Sequence, residues 1–238
     1  SWKDTCLLRF SARIDWASTL PKDNRSYFYP GVSFTWNFTE TFEVPKMNYG
    51  KFRVSWTDVG RAANRYYALR TYTMGTISNN TAYPGVNDVT GPDELFSGNL
   101  KPERKREFEI GFDTRLFPRN RLELNFSSYN NTWYAQIMAL PLSSTTGANR
   151  IKINAGKSRN QGVELFARGL ILAPATGKFR WDVTVNIAKQ WDKLLELYPG
   201  ITQINTDEGG GMVRRHEEGK RMSEILITDY KRAADGTR

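Results

Sequence analysis

The sequence predicts an all-β fold, and within that class an antiparallel transmembrane β-barrel. Two observations carry the prediction. Seven stretches alternate apolar and polar residues at period two, as a sheet with one greasy and one wet face requires. The gaps between them alternate short and long. A barrel spanning a membrane has lipid outside and a polar lumen inside, with tight turns at one rim and long loops at the other.

The stretches follow in order. The first sets Cys6, Leu8, Phe10, Ala12 and Ile14 against Arg9, Ser11, Arg13 and Asp15, with Leu7 as its exception. The second sets Phe28, Val32, Phe34, Trp36 and Phe38 against Gly31, Ser33, Thr35, Asn37 and Thr39. The third sets Phe52, Val54 and Trp56 against Lys51, Arg53, Ser55 and Thr57. The fourth sets Phe108, Ile110, Phe112, Thr114 and Leu116 against Glu109, Gly111, Asp113 and Arg115. The fifth sets Leu122, Leu124 and Phe126 against Glu123, Asn125 and Ser127, and then blurs through YNNTWYAQIMAL. The sixth has Val163, Leu165, Ala167 and Ile171 against Glu164 and Arg168, with Phe166 and Leu170 out of pattern. The seventh sets Trp181, Val183, Val185 and Ile187 against Asp182, Thr184 and Asn186. Aromatics near the ends of the apolar faces (Phe28, Trp56, Phe108, Trp181) suit interfacial girdles. A soluble sandwich, its apolar face buried under a second sheet, gives the same periodicity.

The gaps favour the barrel. Tight turns are expected at PRN and PATG, where Pro presets the backbone and Gly or Asn takes unusual angles. Long exterior loops are expected near 58–106, 139–160 and 198–238, with no clear strand after the seventh. A compact sandwich seldom needs a loop longer than about 15 residues.

Composition narrows the function. No run of about 18 apolar residues marks a transmembrane helix, and the mean hydropathy of -0.58 is compatible with strands that show lipid only half their residues. Cys6 stands alone and His216 is the single histidine, which excludes an internal disulfide and a multi-histidine metal site. No calcium-loop spacing, metal site, cofactor site or catalytic constellation is expected, and the chain is not expected to be an enzyme. The carboxylates Glu109, Asp113, Glu123, Glu164 and Asp182 are expected to be lumen residues paired with Arg115 and Arg168. The formal charge is +9, but the cations are scattered and no nucleic-acid-binding motif accompanies them, so no nucleic-acid partner is expected. Basic rims could instead face the phosphates of outer-leaflet lipopolysaccharide.

Several segments resemble one family. NLKPERKREFEIGFDTRLFPRNRLELNFSSYNNT, from Asn99, resembles a strand pair of TonB-dependent outer-membrane receptors. INAGKSRNQGVEL, Ile153 to Leu165, is similar to the NAG…NxGxEL stretch of their SusC/RagA branch. FRWDVTVNIAKQWDKLLEL, from Phe179, resembles the strand that follows it, and ARIDWASTLPKDNRSYFYPGVSFTWNFTE and KFRVSWTDVG resemble the strands before. EEGKRMSEILITDYKRAADG is a looser match, with Met222 in a usual Pro place and Ile227 where an aromatic or Gly is usual.

The resemblance implies a plugged barrel of about 22 strands, of which residues 1–238 would be an internal part with the plug, TonB box and remaining strands outside this chain. It implies TonB-dependent import of an oligosaccharide or peptide across the outer membrane of a Gram-negative bacterium. The partners would be a SusD-like surface lipoprotein, TonB acting through the plug, the remaining barrel strands and outer-membrane lipid or lipopolysaccharide. Candidate ligand contacts are Tyr66, Tyr67, Tyr72 and Tyr83, which lie among Asn64, Asn79, Asn80 and Asn87 in the long third gap. Aromatic faces and amides suit sugar rings; the same residues also suit a self-packed loop or a lid contact. Two alternatives remain: a siderophore or vitamin receptor of the same superfamily, and a soluble β-rich glycan-binding protein.

Overall fold

The computed structural model describes residues 5–65, 72–76, 87–92, 94–172, 179–209 and 212–227. Its strands in chain order are β1 (Cys6–Trp16), β2 (Ser26–Asn37), β3 (Met47–Arg61), β4 (Thr73–Thr76), β5 (Asn87–Thr90), β6 (Glu94–Phe96), β7 (Glu103–Leu116), β8 (Leu122–Pro141), β9 (Arg150–Leu172), β10 (Trp181–Glu196), β11 (Gln203–Gly209), β12 (Met212–Glu217) and β13 (Glu224–Ile227). The seven long strands form one antiparallel meander, β1-β2-β3-β7-β8-β9-β10. They coincide with the seven alternating stretches. β6 adds a short parallel pairing to β9, β4 pairs with β5, and β11–β13 form a separate three-stranded sheet.

Register locks the apolar faces together. One ladder row runs Cys6–Trp36–Phe52–Phe112–Phe126–Leu165–Ile187 across all seven strands. The next runs Leu8–Phe34–Val54–Ile110–Ser128–Val163–Lys189. No second sheet covers this band among the described residues: Phe10 is 76% exposed and Ile187 56%. A soluble sandwich would bury it, so the sheet is a barrel wall. β1 and β10 are each paired on one side among the described residues, which makes the wall an incomplete barrel.

The edge of the band gives the strand tilt. On β10 the last uninterrupted apolar residue is Ile187, in the row of Cys6, whereas on β1 the band continues to Ile14, eight residues further. Eight residues cover about 27 Å and six strand spacings about 29 Å, so the strands cross the band at roughly 43°, within the range of transmembrane barrels. On β7 the band runs from Phe108 to Leu116, or about 20 Å of depth at that tilt.

The apolar band lies against the short-turn rim. There the β7–β8 turn holds Phe117, Arg119 and Asn120 at φ of 66°, 64° and 53°. The amide of Asn48 offsets that strain by donating to Phe117 O (2.6 Å) and Asn120 Oδ1 (2.9 Å). At the other rim the strands outrun the band. The loop expected over 139–160 is mostly strand: β8 continues to Pro141 and β9 begins at Arg150. Polar, Gly-rich sequence can pair there because β8 runs alongside β9, with β10 on the other flank as far as Lys157 and β6 at Arg150–Lys152, and these satisfy its backbone. A bulge at Ala135, φ 55°, shifts the β8–β9 register on the way. The expectation of no further strand after the seventh also fails, since β11–β13 follow; their alternation is short and mostly polar.

Two small cores close the long-loop rim. Leu140, Leu194, Leu197 and Ile204 form one, with Ile153 and Met222 against it. Leu20, Ala63 and Leu100 form the other, with Tyr27 and Ile137. Leu194 and Asp192 share the alternation face of Asp182, and the Asp192 carboxylate accepts a hydrogen bond from Met222 N at 2.8 Å. The β11–β13 sheet is thereby held over the polar side of the wall. In it His216 is buried and accepts from Ser223 N at Nδ1 (3.3 Å), with Nε2 left to meet the Thr206 hydroxyl.

Just beyond the band, Asp58 pins β3 to β7 and β8. Its buried carboxylate accepts from Arg104 Nε (3.0 Å), a terminal nitrogen of Arg106 (3.3 Å) and the Tyr134 hydroxyl (2.6 Å). Burial first, and then that bond to Asp58, hold the Tyr134 phenol above its usual pKa, so it stays a donor.

Candidate functional site

The polar face of the wall gathers most of its ion pairs. At its centre one guanidinium bridges three strands. Arg53 on β3 reaches Asp113 Oδ2 at 3.1 Å and Glu109 Oε1 at 3.3 Å on β7, and donates to Ser127 Oγ at 3.1 Å on β8. Lys51 completes the group at 2.9 Å from Asp113. The arrangement depends on Gly111, the register partner of Arg53: a Cβ there would lie 2.5 Å from the guanidinium. Nearer the short-turn rim, Arg115 pairs with Glu123 (3.7 Å) and Arg168 with Asp182 (3.5 Å).

Those last two pairings are as the sequence suggested. Glu109 and Asp113, however, are held by Arg53 and Lys51, and Glu164 forms no ion pair among the described residues. Arg53 was missed because its partners lie 56 and 60 positions away. The available signal was a small residue, Gly111, between two carboxylates on the facing strand.

A second feature lies between β1 and β3 toward the long-loop rim. Ser11, Arg13, Tyr29, Gly31 and Thr57 line a groove of about 400 Å³. The Arg13 guanidinium lies over the Tyr29 ring, 5.0 Å from its centroid, and the Tyr29 hydroxyl donates to Gly60 O at 3.0 Å. The same guanidinium is ion-paired with Asp15 on its own strand, so the groove offers a ligand a planar guanidinium and ring whose charge is already partly met. Of the four tyrosines singled out in the sequence, Tyr72 is 60% exposed. Tyr66, Tyr67 and Tyr83 lie outside the described residues, as do Asn79 and Asn80.

The NLKPE and NAG strings touch. Asn154, of the NAG string, donates through Nδ2 to Lys101 O (2.9 Å) and Ala135 O (2.7 Å), and its Oδ1 accepts from Lys101 N (2.8 Å). Asn24 donates to Asn99 Oδ1 and to Leu100 O, and Glu103 accepts from Ile137 N. NLKPE and NAG thus fasten the long-loop rim together, and their side chains are committed to the fold.

Comparison with known families agrees with this geometry. The model of the TonB dependent receptor-like β-barrel matches residues 1–223. The chain belongs to this family. Among curated relatives this receptor barrel is 25% identical over 229 residues to TonB-dependent receptor P3 of Formosa agariphila, and 22% identical over 220 residues to TonB-dependent receptor SusC of Bacteroides thetaiotaomicron. It covers 22% of each relative's length, while 94% and 90% of the chain is aligned. In structure the receptor barrel superposes on the RagAB peptide transporter with a TM-score of 0.74 at 20% identity, over 90% of the chain and 23% of that protein. The RagAB peptide importer in its open-open state gives 0.75 at 18% identity, over 94% and 24%. The siderophore receptor PirA of Pseudomonas aeruginosa gives 0.50 at 16%, over 90% and 36%. The receptor barrel is therefore SusC/RagA-like.

Proposed function

We propose that this chain forms part of the wall and rim of a TonB-dependent importer in the outer membrane of a Gram-negative bacterium. One observation carries the reading. An uncovered, in-register apolar band lies on one face, and ion pairs centred on Arg53 lie on the other. Such a sheet separates lipid from water. The cargo is an oligosaccharide or peptide. The RagAB likeness supports peptide, while the Arg13–Tyr29 groove and the tyrosines Tyr66, Tyr67, Tyr72 and Tyr83 offer contacts to either. A SusD-like lipoprotein would cover the long-loop rim, and TonB would act on a plug outside these residues. Transport rather than catalysis follows from a polar face whose carboxylates are mostly spent on cations.

The test uses the full-length protein in its own cell. It is expected in the outer-membrane fraction, to need detergent for extraction and to migrate heat-dependently on a gel. Uptake of labelled oligosaccharide or peptide is expected to stop when TonB is removed. Recovery in the soluble fraction, or uptake indifferent to TonB, overturns the reading. A response to an iron chelate alone would transfer the protein to the siderophore class.

A further inference from the structure

The hairpin between β12 and β13, residues 218–223, fastens the rim sheet to the wall. Gly219 N–H donates to Leu194 O on β10 at 2.8 Å, and Leu194 N–H donates back to Lys220 O at 2.8 Å. Two consecutive amides then find side-chain acceptors on opposite sides of the hairpin. Met222 N–H donates to the Asp192 carboxylate of β10 at 2.8 Å, and Ser223 N–H donates to His216 Nδ1 of β12 at 3.3 Å. Ser223 holds φ at 62°, a left-handed conformation that a residue with a Cβ enters at a cost. Its bond to His216 offsets part of that cost.

His216 is the single histidine of the chain and is 8% exposed. A backbone N–H can only donate, so Nδ1 must be bare to accept from Ser223. The neutral ring then carries its proton on Nε2, which meets the Thr206 hydroxyl at 3.3 Å, and that hydroxyl donates to Arg214 O at 3.4 Å. Among the described residues the surrounding groups are these. Ile204 is the cross-strand partner of His216 on β11. Arg214 lies two positions away on β12, with Asp207 of β11 as its register partner. Glu224 at the start of β13 pairs with Lys220, which also holds Glu217. From β10 comes Asp192, bonded to Met222 N. A second proton on the ring sets an Nδ1–H against the Ser223 N–H, and the bond between them is lost. Thr206 also lines a cleft of about 480 Å³, with Met138 and Pro141 of β8 and Arg150 of β9 on its other side.

We propose that His216 is a proton-operated clasp on the rim sheet. Neutral His216 keeps the 218–223 hairpin docked on β10. Protonated His216 releases Ser223, loosens the hairpin from Asp192 and Leu194, and opens the cleft beneath Thr206. The closed form takes up the proton less readily than the open form, in which the ring meets water. The clasp is therefore complete above the ordinary histidine value of about 6.5 and is lost as pH falls through and below it. The proposal goes beyond transport and does not rest on it.

The experiment is amide hydrogen exchange, read by mass spectrometry on the full-length protein in neutral detergent. It is run at about pH 7.5 and about pH 5.5, with rates corrected for the intrinsic effect of pH. One proton taken up per opening, on a ring that titrates near 6.5 when open, changes the opening equilibrium about tenfold over that interval. Peptides covering 190–196 and 216–224 are expected to lose protection by that factor, while 158–165 of β9, inside the wall, keeps its own. His216→Asn sets a non-titrating acceptor near the place of Nδ1, and its protection is expected to be equal at the two pH values. Asp192→Asn is expected to keep the wild-type pH dependence, because the carboxylate is not the group that takes the proton. Equal protection of the wild-type hairpin at the two pH values overturns the proposal and needs no variant. A loss that His216→Asn retains, or that 158–165 shares in full, overturns it too by placing the titration elsewhere. The transport reading is judged separately, by membrane fractionation and uptake, and stands or falls without this result.

Discussion

Val54→Arg against Ser55→Arg tests the two faces of the wall at neighbouring positions. Val54 lies in the apolar band, one ladder step inside Trp56, between Phe34 and Ile110 in its ladder row. Ser55 lies on the other face, between Ser33 and Glu109. An arginine at the midplane of a barrel's lipid face costs about 2–4 kcal/mol. On β3 the band runs from about Met47 to Trp56, so an arginine at 54 stands one ladder step inside its long-loop edge and can extend its guanidinium toward the interface. The lower end of that range, about 2 kcal/mol, is expected. Arginine at 55 faces the Glu109 carboxylate across the strands, and an exposed pair of that kind changes stability by about 1 kcal/mol or less. The assay is reversible denaturant unfolding of the full-length barrel in bilayers, followed by tryptophan fluorescence. A Val54→Arg protein as stable as wild type, or a Ser55→Arg protein that is the worse of the two, would refute the assignment of lipid and lumen faces.

Four further outcomes follow from the same geometry. Asp58→Ala leaves two guanidiniums and the Tyr134 hydroxyl without their shared acceptor; because both arginines are partly exposed, the loss should fall near the lower end of the buried-pair range, about 3 kcal/mol, with Asp58→Asn milder in the same unfolding assay. The raised Tyr134 pKa gives a matching pH dependence: its contribution is complete below the ordinary value of 10.0 and is lost as pH climbs through the raised one, so ultraviolet titration should show a late-ionising phenol that Tyr134→Phe removes. Gly111→Ala should displace the Arg53 guanidinium, so that Arg53→Ala costs less in the Gly111→Ala background than in wild type; additive losses in that double-mutant cycle would argue against the bridge. Asn154→Ala removes three hydrogen bonds at the long-loop rim and is expected to cost roughly 2–3 kcal/mol, visible as faster proteolysis near Ala135 and Lys101.

The seven strands of the wall were legible because lipid writes itself into sequence. Residues facing hydrocarbon are mostly apolar and their neighbours facing the lumen are free to be polar, so period two is readable along the segments that cross the band, with Phe166 and Leu170 on β9 as exceptions. Where the strands leave the band that pressure ends. The YNNTWYAQIMAL and INAGKSRN segments carry no alternation, yet they are strand, because β8, β9 and β10 pair with one another and satisfy each other's backbone. Their glycines read as loop but serve close contact: a Cβ on Gly162 would lie 2.4 Å from the Tyr129 hydroxyl, and one on Gly156 would lie 2.6 Å from Met138 Sδ. β11–β13 were illegible for the same reason, being short, mostly polar and fixed by Leu194, Asp192 and His216.

Sequence alone determined the fold class, the faces of the seven strands and the place of the tight turn at PRN, since those depend on local chemistry and on the solvent each side chain meets; the turn expected at PATG lies outside the described residues. Register, tilt and partnership were decided by the tertiary structure. Only pairing across 50 or more positions could bring Arg53 over Gly111 and fasten Asn154 to Lys101. A charge in a linear sequence has no neighbour until the sheet supplies one.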